Sequence, residues 1–308
     1  MTDIPNYETF AKIEPLDKGW SSDKKYYIET RDGKHRLLRV ADISEYERKR
    51  AEFDMLGRVA ELGVPASRPV DFGTCDGGKS VYQLLTWIDG EDAETILPTR
   101  SAAEQYAFGV KAGKLLRKMQ SLQPFAPSMK WADIFGANLN RYISAYNACG
   151  YTFGSADNTI CYIEENRHLL NNRPMCFSHD DYHCGNMIIA PSGELFIIDF
   201  QRFRPTEPYH ALCGTVFDGD RCPPFATGLV DGYFPDTPPQ EFWRVYALYM
   251  AAISVNSLPY ALSLKDHENT TLQAELDFAY RQCANIARWF DNFNRVVPTW
   301  YLQPQADN

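Results

Sequence analysis

The spacing of apolar and polar positions changes character once along the chain, near residue 88. From Tyr26 to about Ile88, short apolar runs alternate with turn signals: Tyr26-Tyr27-Ile28, then Asp32-Gly33, then Arg36-Leu37-Leu38-Arg39-Val40. An Asp-Gly pair between two such runs predicts a hairpin. A charged helical stretch follows from Glu45 to Leu62, with Phe53, Leu56, Val59 and Ala60 at helical spacing and Gly63-Val64-Pro65 closing it. Two further strands are expected at Pro69–Gly73 and Val81–Leu85, joined by a turn around Asp76-Gly77-Gly78. Together these make a small α+β unit dominated by antiparallel pairs.

Beyond Asp89-Gly90 the pattern becomes mainly helical. Helices are expected over 102–122, 131–149, 242–264 and 272–293, with apolar stripes such as Tyr106, Val110, Leu116 and Met119 turned to a core. No internal repeat or low-complexity linker interrupts the chain. The junction Trp87-Ile88-Asp89-Gly90 therefore reads as a hinge between an N-terminal region, 1–88, and a C-terminal region, 89–308.

Composition narrows the class. With 308 residues, 44% hydrophobic and 23% charged, the chain is long enough for one large domain or two lobes with substantial cores. A net charge of -9 argues against nucleic acid as a partner and suits a cationic small molecule. The eight cysteines are scattered without a Cys-x-x-Cys pair, which points to reduced thiols in a cytoplasm rather than to a disulfide framework or zinc ribbon. Met1-Thr2-Asp3-Ile4-Pro5-Asn6 lacks a basic region followed by an apolar core, so no secretory signal is expected. The most apolar run, Val245–Val255, is shorter than the roughly 20 residues that span a bilayer and reads as a buried helix, so no membrane partner is expected.

The chemistry concentrates in Ser178-His179-Asp180-Asp181-Tyr182-His183-Cys184-Gly185-Asn186 and in the apolar run Leu195-Phe196-Ile197-Ile198 that ends at Asp199-Phe200. A magnesium-dependent phosphoryl transfer needs a group that orients a hydroxyl and hard oxygen ligands for the metal. Asp181 reads as the first, and Asn186 with Asp199 as the second. Asp180 reads as an accessory or solvated acid available to a cationic substrate, and His183 as a hydrogen-bonding residue of the loop. A metal-dependent hydrolase with His179, Asp180, Asp181, His183 and Asp199 as ligands is an alternative from another class.

These residues resemble the aminoglycoside phosphotransferase family, which also includes choline, macrolide and fructosamine kinases. The family motif, His-x-Asp-x-x-x-x-Asn followed by an apolar strand ending in Ile-Asp-Phe or similar, is met by His179, Asp181, Asn186 and Asp199. The resemblance covers nearly the whole chain and implies a bilobal protein-kinase-like fold. It implies that His179 braces the catalytic loop and that the adenine lies against the backbone of Thr86 and Ile88. Where such kinases carry a strand lysine paired with a helix glutamate, this chain offers Arg39, with Glu52 as the first-choice partner and Glu47 as the second. The turn Leu16–Lys24, with Gly19, Ser21 and Ser22, is the candidate to fold over phosphates. No Gly-x-Gly-x-x-Gly or Walker sequence occurs.

The acceptor site of such enzymes involves the loops after the metal-binding strand. Here that region is Arg202–Asp236, with Glu207, Asp218, Asp220, Asp231 and Asp236 beside Tyr209, Phe217 and Tyr233. Acids alongside aromatics suit an ammonium-bearing substrate. The resemblance thus implies a cytoplasmic kinase that uses Mg2+ and ATP or GTP to phosphorylate a hydroxyl of an amino-bearing, aminoglycoside-type substrate. Alternatives are a metabolic sugar, choline-like or macrolide kinase. Another is a nucleotide-binding pseudokinase, a reading kept open by Arg39 and Asp180.

Overall fold

The structure, a computed structural model, describes residues 1–16, 23–122, 129–266 and 270–302. The elements run β1 (Phe10–Leu16), β2 (Lys24–Thr30), β3 (His35–Asp42), α1 (Tyr46–Glu61), β4 (Pro69–Cys75), β5 (Ser80–Thr86), β6 (Glu91–Asp92), α2 (Ala93–Ile96) and α3 (Ala102–Met119). They continue with α4 (Trp131–Ala148), α5 (Ala156–Asn166), β7 (Cys176–Ser178), β8 (Met187–Ile189), β9 (Leu195–Ile197), β10 (Arg204–Thr206), α6 (Thr215–Arg221), α7 (Pro223–Tyr233), α8 (Gln240–Ser263) and α9 (Leu272–Trp289). This is an α+β fold that separates into two compact units, Met1–Ala93 with Gly185–Gln201, and Glu94–Cys184 with Arg202–Asn308.

The first unit is built on a five-stranded sheet of order β1-β2-β3-β5-β4 with antiparallel neighbours throughout. Gly33, at φ 74°, sits in the β2–β3 turn, and Asp76, Gly77 and Gly78 supply three consecutive positive φ values between β4 and β5. The strand period of two then divides the side chains between faces. Ile28, Leu38, Val40, Tyr82 and Leu84 close one face with Ile4 and Cys75. The alternate positions, among them Lys25, Leu37, Arg39 and Leu85, belong to the other face. On α1 the buried residues are Lys49, Glu52, Met55, Leu56 and Val59. Phe53 and Ala60, expected on the buried stripe, are only half-buried, because two charged residues occupy that stripe instead. A second sheet, β6-β8-β9, completes the unit.

The second unit is mainly helical. Helix α8, 24 residues long, is long and apolar enough to cross a membrane by length and composition, but 72% of its most apolar window is buried inside the protein. The apolar stretch is thus longer than the run Val245–Val255 suggested, and it serves as a core helix. Helices α3 and α7 approach until backbone meets backbone: a Cβ on Gly228 would stand 2.2 Å from the Tyr106 carbonyl oxygen, and one on Gly113 would stand 2.1 Å from that of Leu229. The region Arg202–Asp236, read as loops, therefore contains two helices, α6 and α7.

Candidate active site

A cavity of about 390 Å³ lies within the first unit. Its walls include Arg39, Glu52, Thr86, Ile88, Asn186 and Asp199, so six residues singled out in the sequence line one space. Leu37, Leu56, Leu85, Ile188 and Ile197 supply apolar surface, and Lys25 adds a cation. Such a mixture, mostly apolar with a few converging polar groups, is what a small-molecule site requires.

Buried charges at one end of this cavity form a closed cluster. Arg39 donates from Nε and Nη2 to Asp23 at 3.0 and 2.6 Å, and from Nη1 to Glu52 at 3.0 Å. Lys49 on α1 donates to Asp23 and lies 3.5 Å from Glu52. Burial works against ionising Asp23, yet Arg39 and Lys49 outweigh it, and its carboxyl titrates below the usual range. The guanidinium of Arg39 shows the mirror image: burial lowers it, and Glu52 with Asp23 more than restores it. Burial and then Arg39 push Lys25 down from the ordinary lysine value, with Asp199 and Asp23 opposing. Asp23, within the turn Leu16–Lys24, and Lys25 and Lys49 are not among the residues singled out in the sequence.

Asn186 and Asp199 are brought together by a hairpin. Strands β8 and β9 pair antiparallel with Met187 opposite Ile197, and the Ile198 amide donates to the Asn186 carbonyl at 3.0 Å. Asp199 has φ 62°, a left-handed conformation that Asp tolerates better than most residues. One carboxylate and one amide oxygen at the ends of adjacent strands fit the partial donor set of Mg2+, which leaves its other positions to phosphates and water. Among the described residues, no group of three or more His, Cys, Asp or Glu is placed to hold a metal, as the hydrolase alternative requires.

In the second unit, Asp181 is partly exposed, its carboxylate 3.6 Å from His183 Nε2 and 3.9 Å from Arg202 Nη1. His179 is fully buried beside the ring of Tyr182, whose hydroxyl donates to the Ala112 carbonyl at 2.8 Å. Arg202 was not among the residues expected at the site, and its closeness to Asp181 has no counterpart in sequence spacing.

Each of the four acids expected near a substrate has a partner within the protein. Asp180 is not solvated: its side chain is 5% exposed, accepts from Arg204 Nε at 2.5 Å and lies 2.7 Å from His210 Nδ1. Burial raises its carboxyl, but His210 and Arg204 prevail and hold it below the usual range. Glu207 is fully buried. It caps the 3-10 helix Pro208–Gly214 through the His210 amide, pairs with Arg173 at 2.5 Å and accepts from the Tyr249 hydroxyl at 3.0 Å. Its carboxyl is raised by burial despite Arg173. Asp218 is likewise fully buried on α6, accepts from the Cys184 amide at 3.2 Å and is pushed up to about 7 by burial. These three acids hold the segment 180–184 and its supports in place. Asp220 is exposed and paired with Arg288 at 3.1 Å. Gly19, Ser21 and Ser22 lie outside the described residues.

The fold is shared with known structures. A thermostable mutant of aminoglycoside phosphotransferase APH(4)-Ia, in ternary complex with ADP and hygromycin B, matches with TM-score 0.64 and 14% identity over 92% of this chain and 95% of that one. A choline/ethanolamine kinase family protein from Mesorhizobium loti matches with TM-score 0.64 and 15% identity over 93% and 92%. Amicoumacin kinase hAmiN, in complex with AMP-PNP, Ca2+ and Ami, matches with TM-score 0.59 and 14% identity over 92% and 90%. No curated protein sequence matches the chain. The fold is thus that of the kinase-like phosphotransferases. The model of APH, the phosphotransferase enzyme family, matches residues 12–245, and the chain belongs to that family.

Proposed function

We propose that this phosphotransferase moves the γ-phosphate of ATP or GTP to a hydroxyl of a small amino-bearing molecule. The observation that carries the proposal is the common cavity of Arg39, Glu52, Thr86, Ile88, Asn186 and Asp199. Phosphoryl transfer asks a protein for positioning and charge neutralisation more than for covalent chemistry. The base of the nucleotide would lie against the backbone of Thr86 and Ile88. Asn186 and Asp199 would hold Mg2+, which supplies neutralisation of the phosphate charge when bound. Asp181 would accept a hydrogen bond from the acceptor hydroxyl and aim its oxygen at the γ-phosphate, and buried His179 would keep that loop in shape.

For the acceptor, the net charge of -9 favours a cation. The complexes of similar folds with hygromycin B and gentamicin agree with a hydroxylated, amino-bearing substrate. Antibiotic inactivation is the role this suggests, and the choline/ethanolamine kinase family neighbour keeps a metabolic amino alcohol beside it. All eight cysteines are free thiols, in keeping with a cytoplasmic setting. A panel of aminoglycosides, macrolides and hydroxylated amines, assayed for ADP or GDP release with and without Mg2+, tests the proposal. Metal-dependent release stimulated by at least one amino-bearing alcohol is expected. Release from none of them, with nucleotide still bound, would leave a pseudokinase.

A further inference from the structure

We infer that His210 is a positioning residue for the phosphoryl transfer: through Asp180 it fixes the bend of the backbone that aims Asp181. The inference rests on the reading of Asp181 as the group that orients the acceptor hydroxyl. Asp180 has φ 54°, in the left-handed region that a glycine enters freely and an aspartate only at some cost. Such a conformation persists where the surroundings hold it in place. It lies immediately before Asp181, so the two torsions of Asp180 set the direction in which the next side chain leaves the loop. Whatever holds Asp180 therefore aims Asp181.

Both carboxylate oxygens of Asp180 are held, Oδ1 by His210 Nδ1 at 2.7 Å and Oδ2 by Arg204 Nε. Burial opposes ionisation of this carboxyl, and His210 with Arg204 overcomes it. An ionised carboxylate only accepts, so Nδ1 of His210 carries the hydrogen and donates. The two partners differ in rigidity. Arg204 lies on β10 opposite Ser178 of β7, and its side chain is 55% exposed, where water competes for the guanidinium. His210 is enclosed instead: its ring centroid stands 5.2 Å from that of Trp131, 5.4 Å from Phe135 and 5.1 Å from Tyr249, each pair edge to face. Two of these residues also reach its main chain. Trp131 Nε1 donates to the Tyr249 hydroxyl at 2.9 Å, that hydroxyl donates to Glu207 at 3.0 Å, and Glu207 accepts from the His210 amide at 3.1 Å. Helices α4 and α8 thus anchor both ring and backbone of His210, with Nδ1 directed at Asp180. The contact chain runs from the helical core to the catalytic loop in two steps.

The test is a double-mutant cycle in the full chain: wild type, His210→Phe, Asp180→Gly and the two changes combined. Each protein is assayed for kcat and acceptor KM with the panel alcohol that wild type phosphorylates fastest, for Mg2+-nucleotide affinity by isothermal titration, and for thermal unfolding. His210→Phe keeps an aromatic ring in the enclosure and removes the donor, whereas Asp180→Gly leaves the left-handed bend accessible and removes the carboxylate. Either single change is expected to lower kcat about 10- to 100-fold, the cost of a misplaced reacting group, with nucleotide affinity unchanged. The combined variant should lose no more than the larger single loss, because His210 acts on Asp181 only through Asp180. A role confined to packing gives another pattern. His210→Phe then lowers kcat by the same factor in the wild-type and Asp180→Gly backgrounds, or lowers the unfolding temperature at unchanged kcat, and either result overturns the inference. Should His210→Phe fail to fold, Asp180→Gly decides: wild-type kcat in that variant, or a fall in kcat that merely follows lost nucleotide binding, overturns the inference and leaves the reading of Asp181 standing. Absence of turnover by wild type with every panel member removes both.

Discussion

In the first unit, Arg39 and Lys49 meet Asp23 and Glu52 where the protein opens on a cavity, whereas in the second unit Asp180, Glu207 and Asp218 are enclosed by packed side chains and backbone. Both arrangements bury carboxylates, and both give them partners, as burial of charge demands. The difference is what the remaining surface faces. The first cluster borders space sized for a ligand. The second group fixes a loop, by holding Arg204, His210, Arg173 and the Cys184 amide. Burial and partner identity thus separate acids that border the cavity from acids that are enclosed by packing.

The sharpest way to break this contrast is to remove one acid from each side. Asp199→Ala is expected to lower kcat by about 10³-fold or more, the scale at which phosphate-charge stabilisation acts, while unfolding stays close to wild type. Steady-state kinetics over a Mg2+ titration checks this; normal metal dependence would count against the assignment. Glu207→Ala should do the reverse in kind. It leaves Arg173 without its buried partner at a cost of about 3–5 kcal/mol, visible in urea unfolding. An unchanged midpoint would show that Glu207 braces nothing.

Asp218 offers a smaller, pH-resolved effect. Its folded pKa of about 7 lies above the ordinary carboxyl value of 3.8. Between those two pH values the unfolded chain has lost this proton while the folded chain keeps it, so the group's contribution to stability falls as pH rises through the window. It is constant above about 7. Asp218→Asn should remove up to about 1.4 kcal/mol per pH unit from that slope. Equal slopes for wild type and variant, from urea unfolding between pH 4 and 8, would contradict a neutral Asp218. At the bottom of the scale, Asp220→Ala breaks only an exposed pair with Arg288 and should change stability by less than about 1 kcal/mol. A large change in acceptor KM would support Asp220 as a substrate residue.

Much of the cavity was legible because its signals are local. The Asp32-Gly33 turn sets the β2–β3 hairpin, and the β8–β9 hairpin brings Asn186 and Asp199 side by side. Lys49 was not legible, since helical periodicity assigns charged residues to the outside, and Asp23 was not, since it lies in the turn before β2 where only tertiary partners bury it. The same limit hid the braces. Asp180 finds Arg204 and His210 at separations of 24 and 30 residues, and Glu207 finds Arg173 at 34, distances over which spacing carries no register. Helix α7 was masked differently. Gly228 and Gly232 lower its intrinsic helix propensity, and the structure uses both where α7 meets the α3 backbone.

The central claim is that Asp181 orients the acceptor while other residues bind the nucleotide. Asp181→Asn, tested with whichever alcohol the panel shows to be phosphorylated, addresses it most directly by measuring turnover and Mg2+-nucleotide affinity on the same preparation. The account predicts a fall in kcat of about 10²–10⁴-fold with nucleotide affinity unchanged. Turnover at the wild-type rate, or loss of turnover that merely follows lost nucleotide binding, would contradict it.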